Sequence, residues 1–371
     1  MSKVTVAVNG RPAWLFTKYD LIRQILSDPR LSANIKLPGY PIPINVDDAY
    51  VQTVRRGLFN LDGHDHAVQR RLLGPEFSVK TLEKLRPRIQ SIVDGYIDRM
   101  IEQGGPVDLV AALSIPMPSQ VVCEILGIPF QDREVFQKWS GTLMNSATLP
   151  EEQIRIIGQM EEYLGKQIAE KAANPGDDLP SRVLEKNERE GHGLTHEDIA
   201  WMTNVLNGAA HETTANNLTL GVLALLQHPD QLAEFKADPS LAPKVVEEVL
   251  RYASTNDWGT SRVATEDIEI GGVLIRAGDG IITSRVAANY DDEAFEDPST
   301  FDIHRGASSH LAFGYGPHGC VAQNLARLEL QIALTTLFTR IPELRLDVPA
   351  VELRVREDAL IHGIHELPVT W

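Results

Sequence analysis

Phe313-Gly314-Tyr315-Gly316-Pro317-His318-Gly319-Cys320 is the stretch on which the reading of this chain turns. It is a glycine-rich loop that hands one cysteine to the start of a helix. The apolar residues that follow recur at helical spacing: Leu325, Ala326, Leu328, Ile332, Ala333 and Leu337. A cysteine there sits under unpaired backbone N–H groups and the positive end of a helix dipole, so a thiolate is expected rather than a thiol. Such a thiolate is a ligand for a soft metal centre, haem iron above all. A buried structural cysteine accounts for Cys320 equally well at this point. Gly314-x-Gly316-x-x-Gly319 also matches the dinucleotide-binding fingerprint. Only about fifty residues follow it, too few for a nucleotide domain that carries this loop after its first strand.

Working outward, the 371 residues are 43% hydrophobic and 23% charged, enough for a sizeable core. No internal repeat or linker composition divides them, so 1–371 reads as one domain. The start, Met1-Ser2-Lys3-Val4, lacks the charged and apolar regions of a signal peptide, and no run reaches a membrane-spanning length. With Cys123 and Cys320 as the cysteines, a disulfide framework is not expected and a reducing cytoplasm fits. Cys123 matches no motif and reads as core. A formal net charge of −16 argues against a nucleic-acid partner. Lys/Arg residues do cluster at Arg70, Arg71, Lys80, Lys84, Arg86 and Arg88.

Val4-x-Val6-x-Val8, Asn9-Gly10 and Ala13–Phe16 read as strand, turn and strand, followed by a helix. Residues 30–62 are loop-like. From about 65 to 225 the periodicity is helical, with segments near 78–102, 117–127, 150–172 and 195–227, broken at Ser114–Pro118 and Asn174–Pro180. The last of these is unusually long, with Thr195 and Asp198 placed to cap it and Pro229 beyond its end. A helix ending at Tyr252 follows, then a hairpin through Gly271-Gly272, a strand at Gly280–Thr283 and short strands after Leu344. The fold class is mainly α with a small β region, the sheet being formed from both ends of the chain.

The long helix carries Asn207-Gly208-Ala209-Ala210-His211-Glu212-Thr213. Polar residues are costly in a buried helix without partners, and small ones admit a flat ligand against the backbone. Glu212 and Thr213 supply an acid and an alcohol for proton delivery. His211-Glu212 is not the start of a zinc-protease motif, because Ala215 stands where H-E-x-x-H requires its second histidine. Glu248 and Arg251 share a helix face. The run from Phe295 through Pro298 and Phe301 to Arg305 leads into the cysteine loop. His66 and Arg70 lie four apart, and Arg262 sits on a strand. Two or three such cations together suit a dicarboxylate.

In this order, over nearly the whole chain, these elements resemble the cytochrome P-450 superfamily of haem-thiolate monooxygenases, most closely the soluble actinobacterial members. The resemblance implies a triangular helical prism with the long helix over haem b. It makes Cys320 the axial iron ligand, with Phe313, Gly314 and Ala322 around it and Ala209 across the haem. His66, Arg70, Arg262 and His318 would hold the propionates. Glu212 and Thr213 would relay protons to the oxygen-activating centre, and Glu248, Arg251 and Arg305 would form a buried ion network. Family analogy gives the pocket walls as the 40–60 loop, Asn207 and Ala210, the 254–260 segment with Asn256, Asp257 and Trp258, and the turn at Ile361.

The implied activity is hydroxylation of a small or medium-sized organic substrate by a cytoplasmic monomer. Electrons would come ultimately from NAD(P)H through a ferredoxin and its reductase, docking on the face behind Cys320. Oxidative aromatic coupling of a phenolic or peptide substrate and nitric oxide reduction are the alternatives. Ala322 replaces a usual glycine, and Ala209-Ala210 replaces a usual Ala-Gly, which implies a narrower oxygen groove. Asn207 and Gly208 stand where apolar residues are usual, which implies a more polar pocket. The family's N-terminal helix is expected to be missing.

Overall fold

Thr195 opens the longest helix, His196–Gln227, of 32 residues. Its Oγ1 accepts the Asp198 N–H at 3.1 Å, and Asp198 Oδ2 accepts the Thr195 N–H at 3.0 Å. This is the reciprocal capping that the sequence spacing anticipates. Rising ~1.5 Å per residue, the helix is buried along most of its length, with polar residues such as Asn204, Asn207, His211 and Asn216 among those buried. Pro116–Leu126, Pro150–Ala173, Ala242–Tyr252 and Gln323–Arg340 pack around it. Gly221 lets Ala242–Tyr252 come close, since a Cβ there would stand 2.8 Å from Val249 Cγ1. The computed structural model describes residues 1–6, 10–42, 51–52, 54–143, 148–255, 259–356 and 361–371.

The other helical readings hold with adjusted ends. The 78–102 segment is two helices, Val79–Glu83 and Arg86–Gln103, the second opening with a proline in its first turn. The two breaks are where new helices begin, Pro116–Leu126 and Leu179–Glu190, again with proline in the first turn. Arg133–Leu143 and Pro229–Ala237 are further helices that the periodicity did not single out.

The β structure is not one sheet from both chain ends. Five strands pair in the order Ser2–Thr5, Pro12–Phe16, Gly280–Thr283, Thr260–Ala264, Leu31–Ser32. The C-terminal strand Pro368–Thr370 pairs instead with Val107–Asp108 and Arg345–Leu346 in a separate sheet. Ile268–Ile270 and Val273–Ile275 form the expected hairpin. Gly271 and Gly272 turn it at φ 58° and 78°, the left-handed pair that a tight two-residue turn requires.

Two apolar cores result. The larger lies among the helices. The smaller lies under the five-stranded sheet, around Phe16, Ile22, Ile25, Ile275 and Ile281. The chain from Ala307 to Ala322 passes from one to the other: Ala307 and Leu311 belong to the sheet core, while Phe313, Val321 and Ala322 pack on the helical one. The cysteine loop is therefore fixed at the junction of the two. Among the described residues, no helix is long and apolar enough to cross a membrane.

Candidate active site

Gly314 and Gly316 take φ values of 73° and 68°, and a Cβ on Gly316 would stand 2.6 Å from the Leu26 carbonyl oxygen. Glycine is required there by both strain and space. The turn closes with the Cys320 N–H donating to the Phe313 carbonyl at 2.8 Å. The following helix begins at Gln323, with Ala322 as its cap, so Cys320 stands just ahead of it. The expected thiolate is not favoured by this position alone. Burial pushes the Cys320 thiol up, outweighing the Ala322 N–H and the charges of Arg285, Arg70 and Arg327 that pull it down. A metal bound to the sulfur would reverse that balance, because a coordinating thiol is deprotonated outright. Cys123 is buried and its thiol is pushed up to about 11, chiefly by burial, as befits a core residue.

Beside the loop, the structure gathers the four cationic residues named from sequence. His66 and Arg70 lie on Gly63–Leu73, Arg262 on Thr260–Ala264 and His318 in the loop. The His66 and His318 rings stack with centroids 4.0 Å apart. Arg70 Nη1 donates to the Gly319 carbonyl at 2.8 Å, and Arg262 Nη1 to its neighbour Ser261 at 2.8 Å. His318 Nε2 stands 3.8 Å from Asp62 Oδ1. Burial works to raise the Asp62 carboxyl, but bonds from His318, Ser32 and the Ala33 N–H hold it well below the usual carboxylate range. His66 is driven down to about 4 by burial and then by the charges of His318 and Arg70. His66 Nε2 and Arg262 Nη2 are buried without a hydrogen-bond partner. An unpartnered guanidinium nitrogen on Arg262, with Arg70 and two imidazoles nearby, suits an anion with several acceptor oxygens. These residues fit the propionates of haem.

The long helix carries Ala209, Glu212 and Thr213, each half-buried. The helix runs unbroken through this point, with Thr213 Oγ1 donating to the Ala209 carbonyl at 2.8 Å. Glu212 Oε2 is paired with Arg356 Nη1 at 3.1 Å, a partner that the sequence did not indicate. Ala210 packs against the helical core. Asn207 is buried, its carbonyl accepting from His211 Nδ1 at 3.1 Å and its Nδ2 unpartnered. The turn at Ile361 is drawn onto the helix: the His362 N–H donates to the Thr255 carbonyl at 2.7 Å, and Asn217 Nδ2 reaches Thr255 Oγ1 at 3.2 Å. Asn256, Asp257 and Trp258 lie outside the described residues, as does much of the 40–60 loop.

Glu248, Arg251 and Arg305 meet as the sequence order implies. The Arg251 guanidinium makes a bidentate pair with Glu248 at 2.8 and 2.7 Å and donates to the carbonyls of Asn289, Pro298 and Thr300. Arg305 Nε reaches Glu248 Oε1 at 3.3 Å, and the Asp302 N–H donates to the same oxygen at 2.9 Å. Glu248 and Arg251 are both 0% exposed. The ion group ties Ala242–Tyr252 to the 289–305 connection behind the cysteine loop.

The family model for cytochrome P450 matches residues 152–341. The chain is 42% identical over 371 residues to the pentalenic acid synthase of Streptomyces avermitilis, covering 100% of this chain and 91% of that protein. The chain belongs to the cytochrome P450 family. The crystal structure of the P450 MoxA from Nonomuraea recticatena superposes with a TM-score of 0.91 at 45% identity, covering 100% of this chain and 92% of that one. The mycinamicin VIII C21 methyl hydroxylase from Micromonospora griseorubida, in a structure bound to mycinamicin VIII, gives 0.92 at 40% identity, covering 100% and 93%. The family is a haem-thiolate one, which accounts for the cysteine loop and the cation cluster together.

Within this P450, sequence reasoning missed a second bracket beside the first. Glu247, next to Glu248, pairs bidentately with Arg327 at 2.5 and 3.0 Å. The Arg327 guanidinium lies 4.5 Å over the Phe313 ring. The helix of the ion network thus reaches through Arg327 to the loop residue beside Cys320. Burial works to raise the Glu247 carboxyl, but His310 and Arg327 bring it from 4.5 down to about 2. Because the folded value is the lower one, its stabilisation is complete above pH 4.5 and drains away as pH falls towards 2. We expect Glu247→Gln to lose stability at neutral pH and to show a flatter decline below pH 4.5, the parent losing roughly 2 kcal/mol more than the variant between pH 6 and pH 3. Denaturant titrations at pH 6 and pH 3 measure it.

Proposed function

We propose that this P450 hydroxylates a small or medium-sized organic substrate, as a tailoring step on a natural product or in oxidation of a foreign compound. The observation that carries the reading is the glycine loop that brings Cys320 beside His66, Arg70, Arg262 and His318, where Arg262 Nη2 is buried without a hydrogen-bond partner. Haem held at Cys320 supplies the reductive activation of dioxygen. His66, Arg70, Arg262 and His318 would hold its carboxylates, with Asp62 standing 3.8 Å from His318 Nε2. Phe313, backed by Arg327, covers the cysteine. Electrons come ultimately from NAD(P)H through a ferredoxin and its reductase. The exposed Lys80, Lys84 and Arg71 near the loop suit an acidic donor, whereas Arg86 and Arg88 are already paired with Glu83 and Glu124. The chain acts as one domain and as a monomer.

Proton delivery falls to Glu212 and Thr213. Thr213 commits its hydroxyl proton to the Ala209 carbonyl, so its lone pairs are turned out to accept from a proton donor. Glu212, whose carboxylate lies 3.1 Å from Arg356 Nη1, is the group that passes protons to such a donor. Glu212→Gln keeps the shape and removes the acid; turnover is expected to fall by roughly 10²–10⁴-fold while substrate binding, read from the spin-state shift of the Soret band, stays close to the parent. Asn207, Ala210 and Ile361 form part of the substrate walls.

The test is turnover with a ferredoxin, its reductase and labelled dioxygen. Hydroxylation places one labelled oxygen atom in the product. An unlabelled, cross-linked product would establish coupling instead.

A further inference from the structure

Arg285 is a further cation held against the cysteine loop. It opens the short helix Arg285–Asn289, capped by Ser284, whose Oγ accepts the Ala287 N–H at 3.2 Å. Both ends of that helix grip the strand of chain entering the cysteine loop. Asn289 Oδ1 accepts the Leu311 N–H at 2.7 Å, and Arg285 Nη1 donates to the Ala312 carbonyl at 3.1 Å. Nη1 also lies 3.7 Å from where a Cβ on Gly314 would stand.

Protein encloses the guanidinium, and burial pulls Arg285 down to about 10 against the attraction of Cys320. Yet part of the residue remains accessible to water, as is Cys320 itself. Nε is buried without a partner, and among the described residues no carboxylate is named among the charges acting on Arg285. A desolvated guanidinium without a counter-ion is costly, and an anion at its side relieves it. Of the charges acting on Cys320, that of Arg285 comes first, ahead of Arg70 and Arg327.

Resting on the haem-thiolate reading of Cys320, we propose that Arg285 is a positioning residue whose unneutralised charge, fixed behind the Ala312–Gly314 backbone, raises the reduction potential of the centre held at Cys320. Reduction adds one electron, taken from an external donor, to a site already carrying the thiolate. A cation fixed nearby in a poorly polarisable surround stabilises the more negative state.

The test uses the haem-loaded protein and three variants. Arg285→Lys keeps the charge; Arg285→Gln removes it; Arg285→Met removes it without leaving an unpaired polar group, which cores often tolerate well. Dithionite titration gives the midpoint potential of each, and the carbon monoxide spectrum verifies thiolate ligation. Both neutral variants are expected to shift to a more negative potential with thiolate ligation intact, while the lysine variant stays near the parent. Three results overturn the proposal: neutral variants with the parent potential; a lysine variant that falls as far as they do; or neutral variants that cannot hold haem while the lysine variant can, which would make Arg285 an anchor. A parent protein without a thiolate spectrum would instead defeat the reading of Cys320 on which the proposal rests.

Discussion

Arg251→Ala is expected to yield little or no folded, haem-retaining protein. The substitution leaves Glu248, itself 0% exposed, with Arg305 Nε at 3.3 Å as its remaining guanidinium contact. It also strips a donor from the carbonyls of Asn289, Pro298 and Thr300. Removing one partner of a buried ion pair costs ~3–5 kcal/mol, against a total stability of roughly 5–15 kcal/mol. Lysine should rescue poorly, because three donors on a point charge cannot reproduce a planar fork that serves one carboxylate and three carbonyls. Thermal unfolding and the yield of soluble protein measure the loss. An Arg251→Lys protein with the parent's melting temperature would show that the fork geometry does not matter.

Cys320→Ser is expected to leave the fold intact and abolish turnover. What shapes the loop is backbone: the Cys320 N–H to Phe313 bond and the left-handed glycines survive the change. Serine keeps the volume but offers no thiolate, so the strong electron donation that the chemistry requires is gone. Far-UV circular dichroism should match the parent, and the reduced carbon monoxide complex should lose its strongly red-shifted Soret band. Cys320→His, if it takes up haem, should show the band of imidazole ligation, equally without turnover.

The parts of this fold that were legible from sequence are those carried by local signals. Thr195 and Asp198 placed one end of the long helix and Pro229 the other, and its bounds came out at His196–Gln227. Gly271-Gly272 gave the hairpin because few other dipeptides can turn there. The pairing of Pro368–Thr370 with Val107–Asp108 was illegible, since strands of two or three residues show no alternation and their partners lie far away in sequence. The same holds at the site. The order of motifs brought His66, Arg70, Arg262, His318 and Cys320 together, but nothing local joins Glu212 to Arg356 or Glu247 to Arg327. Arg285 carried no signal at all, because an arginine opening a short helix reads as surface until its surroundings are known. At Cys320, burial pushes the thiol up against the Ala322 N–H and the nearby guanidinium charges, a balance that depends on surroundings distant in sequence.

The most direct test of the central claim is the visible spectrum of the purified, haem-loaded protein, reduced and saturated with carbon monoxide. Ligation by Cys320 predicts a strongly red-shifted Soret band in the parent and its loss in Cys320→Ser. A band typical of histidine ligation, or a red-shifted band that persists in Cys320→Ser, would contradict it.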